Sequence, residues 1–74
     1  MTTRALNGAT VRELREALGI TQRDLAARVG LTQGGLSNIE SGKSGATPQT
    51  SRKLADSLGV ALEAITYPVA AVPA

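Results

Sequence analysis

The sequence predicts an all-α fold, a compact domain of five short helices, on three observations. The chain has 74 residues, of which 42% are hydrophobic and 1% aromatic, so its core must consist mainly of aliphatic side chains that suit closely packed helices. Apolar residues recur at helical spacing in successive segments, and threonine stands where several of these segments begin. Glycine stands where most of them stop. A chain of this length forms a single domain.

The first helix is predicted to begin at Thr10, after a polar segment over residues 1–9 that we expect to be a flexible N-terminal arm. Thr10 and Glu13 have the Thr-x-x-Glu spacing of a capping box, in which each side chain accepts a hydrogen bond from a free backbone N–H. Gly19 ends this helix. Its inward face is predicted to hold Val11, Leu14 and Leu18.

Residues 22–41 are the most informative part of the chain, because they predict two helices joined by a tight bend. Thr21 and Thr32 are the expected capping residues, and Gly30 breaks the chain between the two helices. The apolar stripes of the second and third helices are Leu25, Ala26 and Val29, then Leu36 and Ile39, with Leu31 filling the bend. This pattern is typical of a helix-turn-helix, whose second helix is free to enter the major groove of DNA.

Two further helices complete the predicted domain, which spans residues 10–66. The fourth helix starts at Thr47 and Pro48, a capping residue followed by proline, and ends at Gly59. A short fifth helix occupies about residues 61–66. The remaining residues 67–74 form an apolar C-terminal tail. Its apolar side chains, Tyr67, Val69 and Val72, either supply a dimer contact or belong to a frayed end.

The exposed face of the third helix carries the candidate base-reading residues, which are Gln33, Gly34, Ser37 and Asn38. Glutamine and asparagine amides present a donor beside an acceptor, which matches the major-groove edge of adenine. The alternative is that these residues are an ordinary polar surface, although such a surface more often carries glutamate and lysine. Gly34 and Gly35 either allow close approach of DNA, or Gly35 packs against the second helix while Gly34 is an empty reading position. We favour the second interpretation.

The candidate phosphate-binding residues lie around the ends of the second and third helices; they are Thr21, Gln22, Arg23, Thr32, Ser41 and Lys43. Free N–H groups and the helix dipole suit an anion at a helix N-terminus, and such contacts set the register of a protein on DNA without reading its sequence. Arg4 on the leading arm either enters an adjacent minor groove or is merely exposed. Arg28, Arg52 and Lys53 are interpreted as solvated charges.

Arg15 and Glu40 are predicted to form an internal ion pair. Each lies at the edge of the inward stripe of its helix, Arg15 in the first helix and Glu40 in the third. Two opposite charges that point inward are costly unless they meet. We therefore expect the pair to tie the first helix to the third, with a role in orientation rather than in net stability.

Composition excludes several classes of function. The chain has no cysteine and no histidine, so no disulfide, zinc site or histidine-assisted nucleophile can form, and we expect no metal, no cofactor and no enzyme. No apolar run approaches the length of a membrane span, and the N-terminus lacks the apolar core of a signal peptide, so we expect a cytoplasmic protein. The net charge of +2 permits DNA binding without arguing for it.

The chain resembles the lambda-repressor-like, or Cro-type, helix-turn-helix family of bacterial and phage regulators. The resemblance covers about residues 10–66 and rests on ITQRDLAARVGLTQGGLSNIESGK followed by KLADSLGV. It implies a five-helix domain that binds operator DNA as a dimer, usually to repress transcription. It also implies phosphate binding by Gln22, base reading by Gln33, Gly34, Ser37 and Asn38, a backbone contact by Ser41, and a charged pair at Arg15 and Glu40. Gly34 departs from the family pattern, as do Ser51 and Arg52, where relatives are usually apolar.

The sequence therefore predicts a sequence-specific regulator that binds double-stranded DNA, specifically a short repressor of phage or bacterial type. A homodimer through the C-terminal tail or the fifth helix is the expected assembly, and neither a membrane nor a small-molecule ligand is expected. The alternative is an antitoxin or a protein-interaction adaptor built on the same helix-turn-helix. A pure adaptor would show no salt-dependent binding to DNA, which distinguishes the two.

Overall fold

The computed structural model describes the backbone of residues 2–70 and the side chains of residues 4–69. Within this range five helices follow one another as expected, and a pair of short strands joins the two ends of the chain. The elements in order are β1 (Thr2–Leu6), α1 (Gly8–Ala17), α2 (Gln22–Arg28), α3 (Gln33–Glu40), α4 (Pro48–Leu58), α5 (Leu62–Ile65) and β2 (Thr66–Ala70). The prediction of a compact five-helix domain with a helix-turn-helix at α2 and α3 is confirmed.

Threonine side chains begin α2, α3 and α4, as predicted. The hydroxyl oxygens of Thr21, Thr32 and Thr47 accept hydrogen bonds from backbone N–H groups three residues further on, at 3.1, 3.0 and 3.1 Å. Each bond satisfies one of the N–H groups that a helix start leaves without a partner. Gly59 caps α4 in the left-handed conformation, with φ of 70°.

The predicted start of α1 is wrong, because the helix begins at Gly8 and its N-cap lies three residues before Thr10. Asn7 is the N-cap, and its side-chain oxygen accepts a hydrogen bond from the backbone N–H of Thr10 at 3.2 Å. Thr10 therefore lies inside the first turn and does not form the expected capping box with Glu13. The backbone N–H of Asn7 also donates to the carbonyl of Ile65 at 2.8 Å, which fixes the chain where it enters the helix.

Gly19 follows the end of α1 in the left-handed conformation, with φ of 71°, as its predicted role in ending the helix requires, but the place of Leu18 differs from the prediction. The helix ends at Ala17, so Leu18 is the C-cap and its side chain is exposed rather than on the inward face. Val11 is fully buried and Leu14 packs at the edge of the core, as expected. Ile20, just beyond the helix, packs against the core, whereas Leu18 does not.

The prediction of a flexible arm over residues 1–9 is wrong for the described residues, which form β1 and the start of α1. β1 pairs antiparallel with β2, with Arg4 opposite Pro68 and Ala5 opposite Tyr67. We call this two-stranded sheet, Thr2–Leu6 with Thr66–Ala70, the terminal ribbon. Part of the predicted tail thus belongs to β2, whereas Val72 lies outside the described residues. The strands were not predicted because the pairing residues are 60 or more positions apart in the sequence.

The core takes one fully buried aliphatic side chain from each helix. These residues are Val11, Leu25, Leu36, Leu54 and Ile65. Ala26, Val29, Ala55 and Leu58 complete the buried cluster, and Leu31 packs against it from the bend between α2 and α3. Every helix is therefore anchored to the same centre, and the orientation of α3 is set by packing against its neighbours.

Candidate nucleic-acid interface

The four predicted base-reading residues lie on the outer face of α3. Gln33, Gly34, Ser37 and Asn38 are all exposed, whereas Leu36 and Ile39 on the opposite face are buried. A Cβ atom added to Gly34 would meet no atom within 4 Å, so this position points into open space. The face therefore presents amide and hydroxyl groups, without a charged side chain, to anything that approaches α3.

The bend between α2 and α3 is a tight turn that brings the two helices together at a fixed angle. Gly30 adopts a left-handed conformation with φ of 73°, which a residue with a Cβ atom rarely adopts. The backbone N–H of Leu31 then donates to the carbonyl of Ala26 at 2.8 Å, closing the end of α2. Ala26 itself is buried, so its small side chain allows close packing at the helix crossing.

The expected packing of Gly35 against α2 is wrong. A Cβ atom added there would approach the hydroxyl oxygen of Thr32 at 3.1 Å, and it would meet no atom of α2 within 4 Å. Gly35 is instead small because it lies over the threonine that caps α3 and donates its own N–H to that hydroxyl.

The predicted ion pair between α1 and α3 is present. The Nε atom of Arg15 lies 2.7 Å from Oε2 of Glu40, and a second guanidinium nitrogen donates to Oε1 at 3.1 Å. The remaining terminal nitrogen donates to the backbone carbonyl of Ile20 at 2.9 Å. The two side chains are only 12% and 3% exposed. The hydrogen bond to Glu40 raises the pKa of Arg15 above its ordinary value, against the opposing effect of burial.

Gln22 extends this ion pair to the tip of the exposed face. Its amide nitrogen donates to Oε1 of Glu40 at 3.1 Å, and its amide oxygen accepts from the amide nitrogen of Gln33 at 3.5 Å. The second contact is long and therefore weak, so it restricts the amide of Gln33 without fixing it. A continuous series of polar contacts thus runs from Arg15 through Glu40 and Gln22 to Gln33. From the sequence, Gln22 was predicted only as a phosphate ligand. The second hydrogen of its amide group is available for that role.

The other predicted phosphate-binding residues lie at both ends of the same face. Thr21 and Arg23 stand at the start of α2, Thr32 stands at the start of α3, and all three are exposed. Ser41 and Lys43 follow α3, and the hydroxyl of Ser41 donates to the carbonyl of Asn38 at 3.1 Å. Arg4 is not among them. It lies on β1 and donates to the hydroxyl and the carbonyl oxygen of Thr66 at 2.8 and 3.1 Å.

A groove of about 350 Å³ lies between α1 and the exposed face of α3. Its lining residues are Arg12, Arg15, Gln22, Ser37, Glu40 and Ser41. Arg12 is the one lining residue for which the sequence predicted no role. Its position on the groove side of α1 follows from its spacing of three residues before Arg15, which gives two arginines on one side of the helix.

Gly8 is a second residue for which the sequence predicted no role, because it falls in the segment expected to be a flexible arm. A Cβ atom added to it would overlap the carbonyl oxygen of Ile39 and lie 3.1 Å from Cα of Glu40. The first turn of α1 therefore rests directly on the backbone at the C-terminal end of α3. Together with the Arg15–Glu40 pair, this contact fixes the end of α3 that is further from Gln33.

The fold and the exposed face define a helix-turn-helix protein. A family model described as helix-turn-helix matches residues 11–65. The chain therefore belongs to the lambda-repressor and Cro-like helix-turn-helix family, a family of DNA-binding regulators. No match is found among curated protein sequences.

Solved structures give the same result. The chain is 32% identical to the restriction-modification controller protein C.AhdI from Aeromonas hydrophila, with a TM-score of 0.74 over 77% of this chain and 86% of that chain. It is 29% identical to the clp gene regulator ClgR from Corynebacterium glutamicum, with a TM-score of 0.73 over 74% of this chain and 58% of that chain. This chain therefore spans little more than half of that ClgR chain. No helix among the described residues has the length and apolar character to cross a membrane.

Proposed function

We propose that the chain is a sequence-specific regulator of transcription, of the short repressor type, which reads the major groove of double-stranded DNA with α3. The observation that carries this proposal is the exposed, uncharged polar face of α3, held by buried contacts on its opposite side. Amide and hydroxyl groups on a rigid helix can form paired hydrogen bonds with base edges. The ends of α2 and α3 would supply the backbone contacts, because their N–H groups and nearby cations attract phosphates.

The polar contacts behind α3 support a division of roles between Gln22 and Gln33. Gln33 would read a base, while Gln22 would limit the rotamers of Gln33 and bind a phosphate through its free amide hydrogen. Glu40, almost completely buried and bound to Arg15, would in turn hold Gln22. The side chain at the reading position is then partly ordered before DNA binds, which lowers the entropy lost on binding.

Selection of bound duplexes from a random DNA pool tests which residues read bases and which bind the phosphate backbone. We expect Gln33→Ala to relax the preference at one base position, a loss of about 1–3 kcal/mol of discrimination. Arg23→Ala should weaken binding to all duplexes alike and reduce the dependence of affinity on salt by about one unit of the log–log slope. Arg52→Ala, an exposed change on α4, is the charge-matched control and should alter neither property. If Gln33→Ala weakened every duplex equally, the assignment would be reversed.

We further propose that two copies bind as a two-fold dimer through β2 of the terminal ribbon. Among the described residues, the exposed large apolar side chains are Leu18, Tyr67 and Val69, and two of these three lie on β2. A dimer would place two α3 helices on half-sites about one helical turn of DNA apart, which compensates for the few bases that one domain contacts.

Analytical ultracentrifugation over a range of concentrations tests this assembly. We expect Tyr67→Lys to shift the association equilibrium toward monomer, because it places a charge in the apolar contact. Ala64→Lys, on the exposed side of α5, separates this surface from the alternative contact through the fifth helix. A wild-type protein that stays monomeric throughout, or a Tyr67→Lys variant that associates as the wild type does, would contradict the proposal.

A further inference from the structure

The two arginines on the groove side of α1 differ in how their charges are used. Arg15 is almost buried, and its guanidinium donates to Glu40 and to the carbonyl of Ile20. Arg12 is 61% exposed, and its Nε lies 3.0 Å from Oε1 of Glu16 one turn further along the helix. The guanidinium of Arg15 therefore binds groups within the protein, whereas the charge of Arg12 is accessible to solvent and to other molecules.

Arg12 faces the same groove as residues already assigned to DNA contacts. Gln22, Ser37 and Ser41 line that groove together with it. When α3 lies in a major groove, the DNA backbone must pass the ends of α3 and the start of α2. A guanidinium that lines the same depression is then close to the phosphates that follow those assigned to Gln22 and Ser41.

The pair between Arg12 and Glu16 is easily broken. Both side chains are more than half exposed, so water and salt screen their attraction, and ordering two long side chains offsets much of what remains. A DNA phosphate offers two charge-assisted hydrogen bonds to a planar guanidinium, and its binding also releases counterions from DNA. Phosphate is therefore the stronger ligand for Arg12.

We propose that Arg12 is a further phosphate-binding residue, and that Glu16 holds its guanidinium in the free protein and releases it when DNA binds. This inference rests on the proposed function. Glu16 then has two opposing effects. It keeps the guanidinium of Arg12 close to the groove. Its negative charge also repels the phosphates of DNA that is too far away to bind that guanidinium.

Equilibrium binding to a duplex at several salt concentrations tests the role of Arg12. We expect Arg12→Gln to weaken binding severalfold, to any sequence, and to lower the log–log salt slope by about 0.9. Arg28→Gln removes the same charge from an exposed position at the C-terminal end of α2 and should leave the slope unchanged. Arg12→Lys keeps the charge without the planar fork, so it should restore the slope and only part of the affinity.

A double-mutant cycle tests the exchange of partners. Glu16→Gln should strengthen DNA binding, and the gain should be smaller in the Arg12→Gln background, because there is no guanidinium left to release. Equal gains in both backgrounds would overturn the exchange, since Glu16 would then act only by repelling phosphates. If Arg12→Gln and Arg28→Gln behaved alike while the wild type bound DNA, Arg12 would not be a phosphate contact and the proposed function would stand. If the wild type bound no duplex, both would fail.

Discussion

Replacing Gly8 by alanine is expected to destabilise the domain by about 2–3 kcal/mol, the upper part of the range of about 1–3 kcal/mol found when an extra carbon is forced into a packed contact. The added Cβ would overlap the carbonyl oxygen of Ile39, and a backbone atom cannot move aside as a flexible side chain can. The first turn of α1 would have to shift away from α3. In a domain of this size, each kcal/mol lowers Tm by about 4–8 °C, so thermal unfolding followed by circular dichroism measures the effect.

Gly34→Ala is the matched control for this change. Gly34 is also helical, but it is exposed, and a Cβ atom at this position meets nothing within 4 Å. Alanine is favoured over glycine inside a helix by about 0.5–1 kcal/mol, so the control should raise Tm. The same substitution then has opposite effects at two helical positions. Equal Tm values for Gly8→Ala and the wild type would show that α1 does not rest on the end of α3 in solution.

Glu40→Ala is expected to have the largest effect on stability, about 3 kcal/mol or more, because it leaves the guanidinium of Arg15 in a site built around a carboxylate. Arg15 is only 12% exposed and would lose two of its three hydrogen bonds. Gln22 would lose its bond to Oε1 of Glu40 as well, so the reading end of α3 would be less ordered. Urea unfolding measures the stability, and DNA binding at a temperature where the variant stays folded measures the second effect.

Glu13→Ala provides the comparison for Glu40→Ala, because it removes the same charge from an exposed position of α1. Its effect on the free energy of unfolding should stay within about 0.5 kcal/mol, as is usual for surface substitutions. Unchanged stability and unchanged DNA affinity in Glu40→Ala would mean that the buried pair neither supports the fold nor orients α3.

The features that could be predicted from sequence are those in which the interacting groups are close in the chain or are forced to meet. A capping threonine and the N–H group that it satisfies are three residues apart, so the starts of α2, α3 and α4 follow from local pattern alone. The Arg15–Glu40 pair spans 25 positions. It was nevertheless predictable, because two opposite charges on inward edges of neighbouring helices are costly unless they meet.

The start of α1 was mispredicted because two capping signals compete there. Thr10 with Glu13 has the pattern of a capping box, but Asn7 lies one turn earlier and is at least as good an N-cap. The strand β1 ends directly before Asn7 and directs the chain into the earlier start. Leu18 was misplaced for a related reason. Its spacing from Leu14 continues the apolar stripe, but the helix has ended by that point.

The terminal ribbon and the contact of Gly8 with α3 each join residues that are far apart in the sequence. No local sequence pattern predicts such contacts. Neither five-residue strand has a regular alternation of polar and apolar residues, and its partner stands at the other end of the chain. Gly8 is small because the end of α3 lies against it, and α3 begins 25 positions later. Arg12 was not predicted as a phosphate contact because its role depends on which elements border the groove.

Chemical-shift mapping of the isotopically labelled protein against a bound DNA duplex is the most direct measurement of the central idea, that α3 is the surface applied to DNA. The largest shifts of backbone amides are predicted at Gln33, Ser37 and Asn38 and at the start of α2, with the terminal ribbon and α4 little affected. Shifts concentrated on the terminal ribbon or on α4, with the amides of α3 unchanged at saturation, would contradict it.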